Sequence, residues 1–335
     1  MLHRQIGSLS VSVVGLGCNQ LGTAACDETV AKRVVREALD AGITFFDTSD
    51  EYGHDYADPT NISGWGRSEE ILGGTLQSHR DKVVIATKFG PIGPLGNPMV
   101  GDLFHGERSE AGAKGVRIAI EESLSRLRTD RIDLYQLHFP DHRFPIEETL
   151  RAVNELVREG KVREIGVCNF NAEQLRVADE AAGAQGMRRF ATDQGELNIL
   201  RRSALADIMP MCEALRLRFI PYYPLASGVL TGKYRRGADL PAGSRMSDQV
   251  DPATRARILS DRLFARLEAL ERYAADHGPS ILELAFAWLL GLPAVPTVIA
   301  GAARSGQAFA NAHAGDWVLT PEQVAEVIRI ASETG

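Results

Sequence analysis

Short runs of apolar residues alternate along this chain with longer stretches in which apolar positions recur every three to four residues. A run that is apolar on both faces reads as a buried parallel strand, and the three-to-four spacing reads as a helix with one buried face. On that pattern strands are predicted at 13–17, 44–48, 83–88, 133–138, 163–167, 192–195, 219–222 and 297–300. Helices are predicted between most of them, at 28–41, 68–76, 113–127, 146–159, 172–182 and 203–214, with two more, 256–275 and 280–290, ahead of the last strand. A hairpin of 2–6 and 9–13, turning at Gly7-Ser8, precedes the first strand. Strands and helices in strict alternation are what a closed (β/α)8 TIM barrel requires, so residues 1–335 are expected to form one such α/β barrel domain.

A doubly wound sheet is the rival architecture. Gly15-Leu16-Gly17 with Gly22 superficially suggests a dinucleotide-binding turn, but Gln20 stands where the third glycine belongs, and a polar stretch runs to Asp27 before any helical pattern starts. Three predicted connections, 54–66, 90–112 and 233–252, exceed the usual ~2–6 residues of a barrel loop and follow strands. They are the expected long loops of the C-terminal rim and the walls of a substrate pocket. The segment 237–252, rich in Gly, Pro, Ser and Asp, is expected to be the loosest. Trp65 and Phe104 on these loops either line an apolar pocket or anchor the loops, whereas Trp288 and Trp317 read as packing residues.

Composition narrows the class. A net charge of -7 gives no basic footprint for nucleic acid or an anionic membrane surface. No apolar run approaches the ~20 residues of a membrane span and the start lacks a signal-peptide pattern, so a cytoplasmic protein acting on small molecules is expected. Cys18, Cys26, Cys168 and Cys212 are scattered, which argues against disulfides or zinc. Pro140 separates His138 from His142 and disfavours the helix that would make them metal ligands, so no metal is expected.

Chemistry concentrates at strand ends. Asp47 and Lys88 close predicted strands, His138 closes a third, and Tyr52 lies just beyond the first of these, in ITFFDTSDEYG, KVVIATKFG and RIDLYQLHFP. Polar groups at that position in an α/β barrel emerge on the rim that carries active sites. A phenol, with an ordinary pKa near 10, is a poor acid or base at neutrality unless a cation lowers it. Lys88 can supply the cation, Asp47 can hold it, and His138 can donate a hydrogen bond to the same substrate oxygen. Each residue alone has a plainer reading: Asp47 as a turn cap, Lys88 as a snorkelling surface residue, Tyr52 as loop packing, His138 as a satisfied core histidine. The four together point to an enzyme.

The sequence resembles the aldo-keto reductase family over nearly its whole length, through VVGLGCNQLG, AGITFFDTSDEYG with GRSEEILGGTL, VVIATKFG, SLSRLRTDRIDLYQLHFPD, LVREGKVREIGVCNFN, PYYPLASGVLTGKY and VIAGAARSGQAFAN in order. The resemblance implies the barrel and its hairpin. It also implies Tyr52 as general acid/base tuned by Lys88 and Asp47, His138 orienting a carbonyl, and a nicotinamide cofactor, usually NADPH with NADH the alternative, bound without a Rossmann fold. It further implies that Asn169 and Gln194 hold the carboxamide beside Cys168, and that Tyr222 stacks on the nicotinamide. Leu225, Ala226, Ser227, Gly228 and Leu230 would run beside the pyrophosphate, and Gly301, Ala302, Arg304, Gln307 and Asn311 would surround the adenosine, Arg304 being suited to a 2′-phosphate. Cys168 stands where a serine is usual, as does Tyr223, which leaves Tyr222 and Tyr223 both eligible to stack. The implied reaction is interconversion of an aldehyde or ketone with an alcohol or sugar. Potassium-channel beta subunits share the barrel and these four residues, so a cofactor-sensing regulatory subunit is the second implied reading; a hairpin beginning at residue two, with no inactivating extension, speaks against it. The substrate and oligomeric state are left open.

Overall fold

The computed structural model describes residues 1–54, 64–91, 110–248, 250–278 and 280–333. Eight strands, β3 (Val14–Gly17), β4 (Phe45–Asp47), β5 (Val84–Phe89), β6 (Ile132–Leu137), β7 (Val162–Cys168), β8 (Thr192–Glu196), β9 (Arg218–Tyr222) and β10 (Val298–Gly301), form one sheet in the order β10-β3-β4-β5-β6-β7-β8-β9. All of these pairings are parallel. At the seam, the Phe219 N–H of β9 donates to the Ala294 carbonyl just ahead of β10 at 2.9 Å, drawing the two edges together. The architecture is a (β/α)8 TIM barrel, and each predicted strand lies within two residues of an observed one.

Period-two alternation divides each strand between barrel interior and helix layer. Phe46, Ile85, Tyr135, Leu137, Ile165, Val167, Phe219 and Val298 pack outward into the large core shared with the helices. Phe45, Val84, Ala86, Leu134, Ile220 and Ile299 point the other way and form a separate apolar cluster. That cluster is completed by Ile6, Leu9 and Val11 of the antiparallel hairpin β1 (His3–Ile6) and β2 (Leu9–Ser12). The hairpin therefore plugs the amino end of the barrel; fully burying three such side chains contributes about 1.5–3 kcal/mol each. Its turn is tied down by the Ser8 N–H, which donates to Glu164 Oε1 at 2.8 Å. Two residues further along the same inner face the side chains turn polar: Asp47 after Phe45, Lys88 after Ala86, Gln136 after Leu134. One end of the barrel is thus sealed by apolar side chains and the other presents charge.

The helices depart from expectation in three places. The 256–275 segment is two helices, Pro252–Ile258 and Asp261–His277, because Ser260 breaks the run and caps the second, its Oγ accepting from the Leu263 N–H at 3.3 Å. The 203–214 segment is a 3-10 turn, Ser203–Leu205, followed by the helix Ile208–Leu215 with Asp207 at its cap. Gln307–Ala314, whose buried face is mostly alanine, and Pro321–Glu333, which buries Val324, Val327 and Ala331, are helices beyond those expected. The second carries a legible start signal, since Gln323 Oε1 accepts from the Thr320 N–H at 2.9 Å and Thr320 Oγ1 from the Gln323 N–H at 3.3 Å. Within the stretch expected to be loosest, Arg245–Asp248 forms a helical turn and the Met246 N–H donates to the Tyr234 hydroxyl. Trp288 is fully buried and Trp317 packs against the core. Phe104 and most of the loops 54–66 and 90–112 lie outside the described residues. The four cysteines are free and buried.

One buried carboxyl serves packing rather than the barrel mouth. Asp193 of β8 faces the helix layer, fully buried, and neither oxygen makes a hydrogen bond of ordinary geometry among the described residues. Burial pushes its pKa up to about 8, and the nearby N–H groups of Phe170 and Gln194 offset this only in part. The folded state therefore holds a proton there that the unfolded chain releases above about pH 4. Stability associated with this group is complete below that pH and is lost as pH rises toward 8. Asp193→Asn is expected to flatten this part of the decline, leaving the variant more stable than wild type at pH 9 by on the order of a few kcal/mol. Urea unfolding at pH 5, 7 and 9 measures it; parallel pH profiles for the two proteins would refute the buried-acid reading.

Candidate active site at the carboxyl end of the barrel

Asp47 is the hub of the polar layer. Its Oδ1 accepts from Lys88 Nζ at 2.6 Å, and its Oδ2 accepts from Gln194 Nε2 at 2.8 Å and from Gln136 Nε2 at 3.3 Å. Lys88 is fully buried, and besides Asp47 its ammonium reaches the Thr48 carbonyl at 2.8 Å and the Tyr52 hydroxyl at 3.3 Å. The same ammonium sits 4.7 Å from the centroid of the Tyr52 ring. A buried ion pair is retained only when its remaining donors and acceptors are satisfied, and here Gln136, Gln194 and the Thr48 carbonyl complete the set. Tyr52 leaves β4 on a short turn in which its N–H donates to the Ser49 carbonyl, and the Ser68 N–H in turn donates to the Tyr52 carbonyl.

His138 follows β6, where its N–H donates to the Phe89 carbonyl at 2.8 Å. Its ring stands edge-on to Tyr52, centroids 6.0 Å apart, and stacks on Phe139 at 4.9 Å. Burial, reinforced by Lys88, holds its pKa well below the usual imidazole range, so the ring is neutral. Tyr52 corrects one expectation. Burial and the neighbouring carboxylates of Asp47 and Glu51 push its phenol well above the ordinary value rather than down. The phenol is held protonated, with the Lys88 ammonium 3.3 Å from its oxygen.

The residues predicted to hold a nucleotide line the adjoining rim. Asn169, in the left-handed region at φ 62°, donates from Nδ2 to the His138 carbonyl at 3.0 Å and accepts at Oδ1 from the Tyr222 hydroxyl at 2.9 Å. Tyr222 closes β9 half-buried, whereas Tyr223 is exposed with its ring edge-on to Tyr222, so Tyr222 is the one joined to the site. Cys168 ends β7 buried beside them, and burial raises its thiol pKa well above the ordinary value. Gln194 spends its amide N–H on Asp47 and keeps its carbonyl as an acceptor.

Beyond β9, Ala226, Ser227 and Gly228 run in succession through positive φ, at 47°, 59° and 88°. A Cβ at Gly228 would lie 2.8 Å from Lys233 Nζ, and Arg245 donates to Ser227 Oγ at 3.4 Å. Leu225 is partly buried, but Leu230 is wholly inside the core, so only its backbone can face a ligand. Past β10, Gly301 is exposed and Ala302 buried; Gln307 Oε1 accepts from the N–H groups of Ala303 and Arg304 at 2.8 and 3.1 Å, and Asn311 is buried. The Arg304 guanidinium bonds the Gly243 carbonyl, joining the 233–252 segment to this end.

Three members of the site escaped the sequence reading. Gln136 lies two residues before His138, and strand period alone places both on the inner face. Lys233 lies on irregular backbone and Arg245 opens a single helical turn, too short for spacing to say which side chains converge.

A family model described as the aldo/keto reductase family matches residues 13–332. The chain belongs to that family. Among this aldo/keto reductase's relatives, Aldo-keto reductase YhdN of Bacillus subtilis is 31% identical over 97% of this chain and 92% of its own length. A probable voltage-gated potassium channel subunit beta of Oryza sativa is 30% identical over 98% of this chain and 95% of its own. Among solved structures, the glycerol dehydrogenase AKR11B4 from Gluconobacter oxydans superposes with a TM-score of 0.77 at 28% identity, covering 99% of this chain and 95% of that one. The family is one of oxidoreductases. No described helix of this aldo/keto reductase is long and apolar enough to cross a membrane.

Proposed function

We propose that the protein is an NAD(P)H-dependent oxidoreductase, one barrel domain throughout, that interconverts a small-molecule aldehyde or ketone with the corresponding alcohol, including sugar alcohols. The observation that carries this reading is the single buried ammonium of Lys88, bonded at once to Asp47 and to the Tyr52 hydroxyl at the carboxyl end of the barrel. A protonated phenol with a fixed cation against its oxygen gives up its proton to a carbonyl oxygen on which negative charge develops, because the cation stabilises the phenolate left behind. His138 donates a hydrogen bond to the same oxygen and fixes its direction.

The residues present fit a dinucleotide. Tyr222 offers a half-buried aromatic face pinned by Asn169, while Asn169 and the Gln194 side-chain carbonyl, unbonded among the described residues, supply acceptors and a donor for a carboxamide. Lys233 and Arg245 gather beside the positive-φ turn at Ser227-Gly228, a small-residue cradle with cations suited to a pyrophosphate, in a chain of net negative charge. Arg304, with Gln307 and Asn311 behind it, suits the 2′-phosphate of NADPH over NADH. When bound, the nicotinamide supplies the hydride. Titration of protein fluorescence with NADPH and NADH, followed by steady-state oxidation of the preferred one against a carbonyl panel, tests the reading; saturable binding with turnover on the panel is expected, and absence of nicotinamide binding would sink it.

The similarity to the probable voltage-gated potassium channel beta subunits of Oryza sativa and Arabidopsis thaliana, each 30% identical over 98% of this chain, supports a second reading as a cofactor-sensing subunit. Very slow turnover on every carbonyl, with tight cofactor retention and a stable protein partner, would favour it over the enzyme.

A further inference from the structure

Glu51, next to Tyr52 in sequence, is buried in the same polar layer, with Oε1 3.5 Å from His138 Nδ1. Among the described residues, the other side chain within hydrogen-bonding reach of Nδ1 is Ser49, whose Oγ stands 3.4 Å away. A hydroxyl has one proton to give, and Asp50 Oδ1, at 3.2 Å, is nearer to that Oγ than the imidazole is. Ser49 therefore turns a lone pair toward Nδ1, and Glu51 is left to decide which ring nitrogen is protonated. As an acid, Glu51 donates to Nδ1 and leaves the proton on Nε2. As a carboxylate it accepts, drawing the proton to Nδ1 and leaving Nε2 bare.

We propose that Glu51 is a positioning residue that selects the tautomer of His138, and with it the direction of reaction that the site supports. With Nε2–H, His138 donates to a carbonyl oxygen, as reduction requires. With Nε2 bare, it accepts from the hydroxyl of an alcohol, as oxidation requires. The Glu51–His138 pair gives up one proton to solvent in passing between the two forms, and the imidazole stays neutral throughout. This rests on the functional reading above for its consequence, though not for the tautomer itself.

The groups facing Glu51 are consistent with a transition near neutrality. Burial and the adjacent Asp50 raise its pKa to about 8, and Lys88 across the layer lowers it only in part. The Tyr52 phenol and neutral His138 are its other titratable neighbours among the described residues, and His54 Nδ1 lies 2.9 Å from its backbone carbonyl.

Nitrogen-15 NMR of histidine-labelled protein between pH 6 and 10, with His138 assigned by a His138→Asn variant, reads the tautomer without substrate or cofactor. Wild type is expected to exchange the proton-bearing nitrogen of His138 in a single one-proton step, and Glu51→Gln to hold one tautomer at every pH. In rate measurements, kcat/KM for carbonyl reduction is expected to fall tenfold per pH unit above the step in wild type, a limb that Glu51→Gln lacks. A pH-invariant tautomer in wild type, or an alkaline limb unchanged in Glu51→Gln, overturns the proposal. Failure of wild type to reduce any carbonyl would instead count against the oxidoreductase reading and leave the NMR result to judge Glu51.

Discussion

Tyr52→Phe is expected to lower turnover by roughly 10²–10⁴, the contribution of a positioned general acid, while binding the nicotinamide cofactor nearly as wild type does. The substitution removes one oxygen and keeps the ring that stands edge-on to His138, so the turn from Ser49 to Tyr52 and its bonds to the Ser68 N–H persist. The phenol is protonated across the neutral range because burial and nearby carboxylates hold it so, and in the proposed reduction that proton passes to the carbonyl oxygen. The informative measurement is kcat and cofactor Kd on the same preparation. A variant that retains full turnover would remove Tyr52 from the mechanism, because no other proton donor occupies the same relation to Lys88 among the described residues.

Lys88→Met is expected to be the more damaging change, since it reaches both chemistry and fold. Removing the ammonium leaves the Asp47 carboxylate buried with only the amide donors of Gln136 and Gln194, and breaking a buried pair on one side typically costs about 3–5 kcal/mol. It also removes the charge 3.3 Å from the phenol oxygen, so turnover should drop by about a hundredfold or more and the pH–rate profile should shift. Urea unfolding separates the two effects. An unchanged unfolding midpoint would show that Asp47 is satisfied without its cation, and an unchanged pH–rate profile would break the link between Lys88 and Tyr52. The double variant Asp47→Asn with Lys88→Met should recover part of the lost stability, because it no longer strands a charge, but none of the activity.

These two residues show how the site depends on the barrel as a whole. Asp47, Lys88, Gln136 and Gln194 come from four different strands, and Asp47 and Gln194 are separated by 147 residues. They meet because closure of the sheet brings inner-face residues of nearby strands within hydrogen-bond distance of one centre. The hairpin and the lower apolar layer occupy the other end of that interior, so the polar layer is confined to the rim where the loops are long.

Much of this was readable in the chain. Buried strands announce themselves as apolar runs and helices as three-to-four spacing, because burial on two faces or on one stripe leaves different periodicities, and this fixed the barrel and the strand-end positions of Asp47, Lys88 and His138. Gln136 was within reach of the same logic. Local rules also set the helix break at Ser260 and the cap at Thr320, where a side-chain oxygen satisfies a terminal N–H. What only the tertiary structure decided is the surroundings of each polar group. The phenol of Tyr52 is raised, not lowered, because burial in the packed layer and the carboxylates of Asp47 and Glu51 all push it in that direction. The carboxyl of Glu51 faces His138 Nδ1, and Lys233 and Arg245 flank one positive-φ turn; loops and isolated turns carry no period from which these side-chain directions could be read. Periodicity encodes which face of a strand or helix is buried; burial, charge proximity and proton placement are sums over neighbours distant in sequence, and they take definite values only once the chain has closed on itself.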